Sequence, residues 1–165
     1  MTEKTQEFLA IRSEVRLPLK QCAGQYLTKF LMELRDHTKI IGNKCPECSR
    51  ISLPPNTVCG YCKIRIEDKP ENWVELSDKG KVKVYLEITD RDTEPLTGIP
   101  LGLPNPGAQI LLDGGDENCL LYHILEELDT NKVYRGMRVQ AVWKPREERV
   151  GLLSDIRFFK TIEDK

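Results

Sequence analysis

Four cysteines, Cys45, Cys48, Cys59 and Cys62, stand in a C-x2-C-x10-C-x2-C array, and metal coordination is the chemistry that this spacing suits. The pairs lie in Cys45-Pro46-Glu47-Cys48-Ser49 and Cys59-Gly60-Tyr61-Cys62-Lys63, each compact enough to wrap two thiolates around one ion. Pro54-Pro55-Asn56 between them is a turn-forming group that reverses the chain and brings the pairs together. The expected product is a closed tetrahedral S4 site holding structural Zn2+, with an iron-bound centre as the neighbouring alternative. Two disulfides are the competing use of the same residues. Metal binding would supply folding free energy to a segment that lacks an apolar core of its own.

The remaining reactive side chains do not assemble into catalytic machinery in the sequence. His37 and His123 are the only histidines, and no Ser-His-Asp arrangement or acid–base pair is evident. His123 sits in an alternating, strand-like run and reads as a half-buried or surface histidine. His37, beside Asp36 at the end of a helical pattern, reads as a capping or surface group. Cys22 and Cys119 have no base nearby and read as small buried residues. The catalytic set is therefore expected to be empty.

Composition narrows the classes. The chain has 165 residues, 39% of them hydrophobic, which suits one ordinary domain or two small ones. No apolar run reaches the length of a transmembrane span. Met1-Thr2-Glu3-Lys4-Thr5 has no apolar h-region, which reads as a cytoplasmic protein. Charge is uneven: residues 1–34 carry net +1, residues 35–69 net +3 and residues 70–165 net −5. An acidic C-terminal segment argues against nucleic acid, whose binders concentrate positive charge. The cations Lys44, Arg50, Lys63 and Arg65 around the cysteines suit a small phosphorylated ligand, or are ordinary solvated charge.

The elements that must position these groups follow from periodicity. Tyr26, Leu27, Phe30, Leu31 and Leu34 form the stripe of an amphipathic helix, separated by Pro18 from a weaker helix around Phe8, Leu9 and Ile11. The stripe must pack on the rest of the chain or on a partner subunit. Residues 40–66 alternate short β-branched runs with the cysteine knuckles. Glu67-Asp68-Lys69-Pro70-Glu71-Asn72 reads as a linker. Beyond it, Val82, Val84, Leu86 and Ile88 alternate as the buried side of a strand. Ala108–Leu112 and Leu120–Leu125 are further strands joined through Asp113-Gly114-Gly115-Asp116, a hairpin signal. Val139, Ala141 and Trp143 form another, residues 151–159 close the set, and residues 126–133 make a helical or looped crossover. Five or six strands of this kind suggest a small OB-type barrel. The segment 98–107, with three prolines, three glycines and no charge, is irregular and suits either a connector or a surface covered by a partner.

These pieces, in this order, resemble the bacterial and archaeal proteins catalogued as domain of unknown function number thirty-five. The resemblance rests on Ala23-Gly24, Phe30-Leu31, Leu34, Ile41-Gly42, Cys45-Pro46-x-Cys48, Pro54-Pro55, Cys59-x2-Cys62 and Trp73. It continues through Gly80, the Pro106–Asp113 strand and Gly136-Met137-x-Val139, and covers residues 22–160. Ser49 and Lys63 depart from it, standing after the knuckles where the family commonly has glycine, so each must accept a left-handed or tight backbone.

The fold that the resemblance implies is mainly β with N-terminal helices. A helical segment (1–42) and a rubredoxin-like zinc ribbon (43–69) precede an OB-type barrel (70–165). The function it implies is that of a non-catalytic subunit docked on a thiolase-fold enzyme, helping to form its acyl-CoA site. The cations Lys44, Arg50, Lys63 and Arg65 would then meet coenzyme A, and Tyr26, Leu27, Phe30, Leu31, Leu34, Pro104 and Pro106 would form the partner interface. The competing function is a single-stranded nucleic-acid binder, since ribbons and OB-folds both occur there.

Overall fold

In the computed structural model, residues 22–86, 106–117, 119–126 and 130–163 are described. The expected first helix at Phe8, Leu9 and Ile11, together with Ile88, Pro104 and the rest of 98–105, lies outside them. Among the described residues no helix is long and apolar enough to cross a membrane.

The amphipathic stripe forms helix α1, Gly24–His37. Tyr26, Phe30 and Leu34, four residues apart, face inward, and Leu27 and Leu31 pack half-buried beside them. The helix ends at Thr38 in a left-handed conformation (φ 56°), where the Lys39 N–H closes onto the Glu33 carbonyl at 3.2 Å.

Two antiparallel sheets follow. The first has the order β2-β1-β3, from β1 (Ile40–Lys44), β2 (Ile51–Ser52) and β3 (Trp73–Leu76). Strand β3 pairs with β1 from beyond the expected linker, with Ile40 opposite Leu76 and Asn43 opposite Trp73. The linker itself is tied down. Pro70–Asn72 forms a 3-10 turn, Asn72 is buried, and its side chain donates to the Glu67 carbonyl at 2.9 Å. Asp68 accepts hydrogen bonds from Gln25, Lys29 and the Trp73 indole.

The second sheet has the order β6-β5-β4-β7-β8. Its strands are β4 (Lys79–Leu86), β5 (Gly107–Leu112), β6 (Leu120–Ile124), β7 (Arg138–Trp143) and β8 (Ile156–Thr161). The β5–β6 hairpin turns at Asp113–Asp116 as its glycines require, Gly114 adopting φ 88°. The sheet curls but does not close as a barrel. Its edge strands meet at a single parallel bridge, Leu125 to Phe159, supported by the Glu126 N–H on the Phe159 carbonyl at 2.8 Å. A closed barrel needs a continuous ladder at that seam, and β6 ends at Ile124, before one can form.

Strand β4 departs from its alternation. A register shift between Val82 and Val84 against β5 leaves Val82 buried but Val84 and Leu86 exposed. A bulge of one residue reverses the face that every later side chain presents. One core joins helix and sheets, running from Phe30, Leu34 and Ile40 through Ile110 and Leu125 to Ile156 and Phe159.

Candidate metal centre and the surface beside it

Both cysteine pairs sit in the same backbone device. In the first, the Ser49 N–H donates to the Cys45 carbonyl and the Cys45 N–H to the Arg50 carbonyl, each at 2.9 Å. In the second, Lys63 donates to Cys59 at 3.1 Å and Cys59 to Ile64 at 2.8 Å. Ser49 (φ 59°) and Lys63 (φ 63°) are left-handed, as the departure from glycine required. The two knuckles are brought face to face by the turn between them. Buried Asn43 holds that turn, donating to the Asn56 carbonyl at 2.6 Å and accepting the Asn56 N–H at 3.1 Å.

The four sulfurs converge, all within 4.8 Å of one another. Cys45 and Cys62 are 3.4 Å apart, Cys48 and Cys59 3.6 Å, and Cys48 and Cys62 3.8 Å. A tetrahedral ion with metal–sulfur bonds of about 2.3 Å places its sulfurs about 3.8 Å apart, so the cluster has the size such an ion needs. The cysteines are free thiols in separate knuckles, not disulfides. Backbone N–H groups of Cys62 and Tyr61 directed at Cys59 hold its thiol down to about 6, favouring the thiolate a metal takes. Burial pushes Cys62 the other way, up to about 12, when no cation is there to offset the charge. The donor set therefore fits a soft metal ion. Four sulfurs complete its coordination and leave structure as its role.

Around this centre the four candidate cations separate. Lys44, Lys63 and Arg65 are exposed, the Lys63 ammonium donating to the Gly60 carbonyl. Arg50 is half-buried, its guanidinium 4.0 Å above the Tyr61 ring. Of the four, Arg50 alone lines a groove of about 340 Å3, shared with Ile51, Ser52, Leu53, Asn56, Cys59, Gly60 and Tyr61. Tyr61 escaped the sequence reading because nothing in a residue between two metal ligands signals a surface platform.

The expected partner interface is corrected in part. Phe30 and Leu34 have no exposed surface and belong to this chain's own core. The Tyr26 hydroxyl donates to the Ile66 carbonyl at 2.6 Å and its ring lies 5.5 Å from Trp73. The stripe is thus satisfied by the ribbon and sheets, and only Leu27 and Leu31 keep partial exposure. Pro106 is also buried, its carbonyl accepting the Leu125 N–H at 2.9 Å.

The His123 ring nitrogens face the Leu153 and Ile124 carbonyls at 3.2 and 3.3 Å, and its ring packs 5.6 Å from Phe159. Burial holds its pKa below the usual histidine value. His37 is exposed and pairs with Glu33 one turn back at 2.9 Å. Cys119 is buried and its thiol is pushed up to about 12 by that burial, so it is inert. Cys22 is exposed, contrary to expectation. Asp155, which no sequence pattern marked, is fully buried and accepts the N–H groups of Val150, Gly151 and Leu152 at 2.9, 2.7 and 3.3 Å.

No protein-family model and no curated protein matches the chain in sequence. Among solved structures it is similar to a chain of the "Ltp2-ChsH2(DUF35) aldolase". The identity is 20% and the TM-score 0.55, over 88% of this chain and 98% of that one. It is also similar to a DUF35-family protein of unknown function from Sulfolobus solfataricus, with 24% identity, a TM-score of 0.51 and 81% of each chain covered. Both are likenesses of fold. This chain therefore has the fold of the DUF35 proteins, a four-cysteine ribbon built onto a curled five-stranded sheet.

Proposed function

We propose that the chain is a non-catalytic subunit that carries structural zinc, docks on a thiolase-fold enzyme in the cytoplasm and helps form its acyl-CoA site. The carrying observation is the fold likeness, over 88% of this chain, to a chain whose structure is described as a DUF35-containing aldolase. Zinc is the metal that four convergent thiolates most commonly hold in a structural site.

The surface supports a partner. Val84, Leu86 and Tyr122 are 48%, 57% and 53% exposed. Strand pairing places them on one face, Val84 opposite Gln109 and Gln109 opposite Tyr122, with Leu86, Gly107 and Ile124 in the next such row. The Tyr122 ring lies across Gly107, where a side chain would collide with its hydroxyl. Exposed apolar side chains grouped on one sheet face, here around Gln109, suit a protein interface.

The test is co-expression with a thiolase-fold subunit encoded beside this chain, followed by co-purification and acyl-CoA cleavage assays. The complex should turn over and this chain alone should not. Tyr122→Lys with Leu86→Lys should reduce co-purification while metal content stays at one ion per chain. Turnover by the enzyme subunit at full rate without this chain would overturn the reading. His37→Ala and His123→Gln should leave turnover within about tenfold, since acid–base groups contribute far more.

A further inference from the structure

The groove beside the ribbon combines features that the metal centre does not need. Its aliphatic lining comes from Ile51 and Leu53, and Ser52, Asn56, Arg50, Tyr61 and the Cys59 thiol are its polar groups. Arg50 touches the metal knuckle through its backbone, whose carbonyl accepts the Cys45 N–H, so its side chain is free for another role. The guanidinium carbon of that side chain lies over Tyr61, 4.0 Å from the ring centroid, and among the described residues no carboxylate pairs with it. Tyr61 is 67% exposed, an unusual place for an aromatic ring unless it serves as a platform.

A guanidinium held over an aromatic face is pre-oriented: one face rests on the ring, the other can take a second planar group, and the edge keeps its donors for an anion. The Asp116 carboxylate accepts the Ile51 N–H at 2.8 Å, which fixes the β2 backbone next to Arg50. The groove volume, about 340 Å3, lies at the lower end of the range for small-ligand sites.

We propose that the Arg50–Tyr61 groove binds a phosphorylated small molecule bearing a planar ring, the ring stacking on the guanidinium and the phosphate taking its edge donors. A free nucleotide and the nucleotide end of coenzyme A share this chemistry; the second source rests on the acyl-CoA reading above, whereas the groove itself needs no partner subunit. Because Arg50 and Tyr61 contribute to the knuckles through their backbones, side-chain changes there leave the metal site intact.

The experiment is calorimetric titration of the metal-loaded full chain with ADP, coenzyme A, adenosine and pyrophosphate in turn. ADP should bind, with adenosine and pyrophosphate each at least about tenfold weaker, because each lacks half of the recognised chemistry. Arg50→Ala and Tyr61→Ala should each weaken ADP by about tenfold, Arg50→Lys should also weaken it, and Tyr61→Phe should not. Coenzyme A binding as tightly as ADP, or more tightly, supports the second source; coenzyme A markedly weaker than ADP assigns the groove to free nucleotides. No detectable ADP binding overturns the proposal, as do Arg50→Ala and Tyr61→Ala variants that hold one metal ion and bind like the unchanged chain. Pyrophosphate binding as well as ADP removes the ring from the proposal and overturns it in this form. None of these outcomes bears on co-purification with an enzyme subunit, so the two readings fail separately.

Discussion

The ribbon's buried apolar cluster is Cys45, Cys59 and Ile66, whereas the core shared by helix and sheets includes Phe30, Leu34, Ile110, Leu112, Leu125, Ile156 and Phe159. Two of the ribbon's three buried members are themselves metal-ligand candidates. The comparison shows two ways to offset chain entropy in one molecule. A large apolar core removes enough surface from water to hold the sheet. The ribbon is too small for that, and an ion held by its four convergent sulfurs would tie its two knuckles together at one point. The connection between the regions runs through Tyr26, whose hydroxyl holds Ile66 and whose ring meets Trp73.

That contrast is broken most directly at the metal. Chelation, or Cys45→Ser, should unfold residues 45–66 while the five-stranded sheet keeps its structure, since structural zinc supplies on the order of 10 kcal/mol. Limited proteolysis should then cut within the ribbon, and Trp73 fluorescence should change. A ribbon that keeps its protection without metal would show that its few apolar contacts suffice.

Next in size is the core. Phe159→Ala should cost about 3–5 kcal/mol and lower the melting temperature by on the order of 10 °C, while metal content stays at one ion per chain. Phe30→Asp belongs to the same class: because Phe30 has no exposed surface in this chain, the new carboxylate should unfold the protein rather than merely detach a partner. A soluble, folded Phe30→Asp variant would contradict the packing described here.

A smaller effect should appear in acid at His123. Burial holds its pKa in the folded chain below that of the unfolded chain, so the unfolded state binds more protons between the two values. Stability from this group is present above the unfolded pKa, about 6.5, and is lost as pH falls toward the folded value. The unchanged protein should therefore lose more melting temperature between pH 7.5 and 5.5 than His123→Gln, with the difference confined to the sheet's unfolding. Equal slopes would mean that His123 titrates alike in the folded and unfolded states, and that its burial does not shift it.

The smallest expected change sharpens the ribbon side. Lys63→Gly places glycine at φ 63°, relieving a left-handed backbone at some cost in unfolded-chain entropy. It should raise the ribbon's resistance to chelator by no more than about 1 kcal/mol. A clear loss would show that the Lys63 side chain, which donates to Gly60, matters more than the backbone strain.

Several elements were legible because their cause is local. The cysteine spacing, the Asp113–Asp116 turn and the four-residue recurrence of Tyr26, Phe30 and Leu34 each encode geometry within a short stretch, and the structure carries all of them. Strand β4 misled because a bulge between Val82 and Val84 is set by pairing with β5, not by its own alternation. Periodicity revealed an apolar stripe on α1 but not its cover, because a helix face looks alike whether it meets its own chain or another.

From the sequence alone came the sulfur donors, their pairing into two knuckles, the need for left-handed residues at Ser49 and Lys63, and the mainly β character of the chain. The donors, their pairing and the β character depend on residue type and short-range spacing, whereas the left-handed positions came from the glycines that the resembled family carries there. Tertiary structure alone decided that β3 crosses the presumed linker to pair with β1, that the sheet curls without closing, and that Arg50, of four similar cations, lies over Tyr61 in a groove. The physical reason is distance along the chain. Asn43 with Asn56, Tyr26 with Ile66 and Leu125 with Phe159 meet only after folding, and no local pattern specifies which side chains those meetings leave exposed.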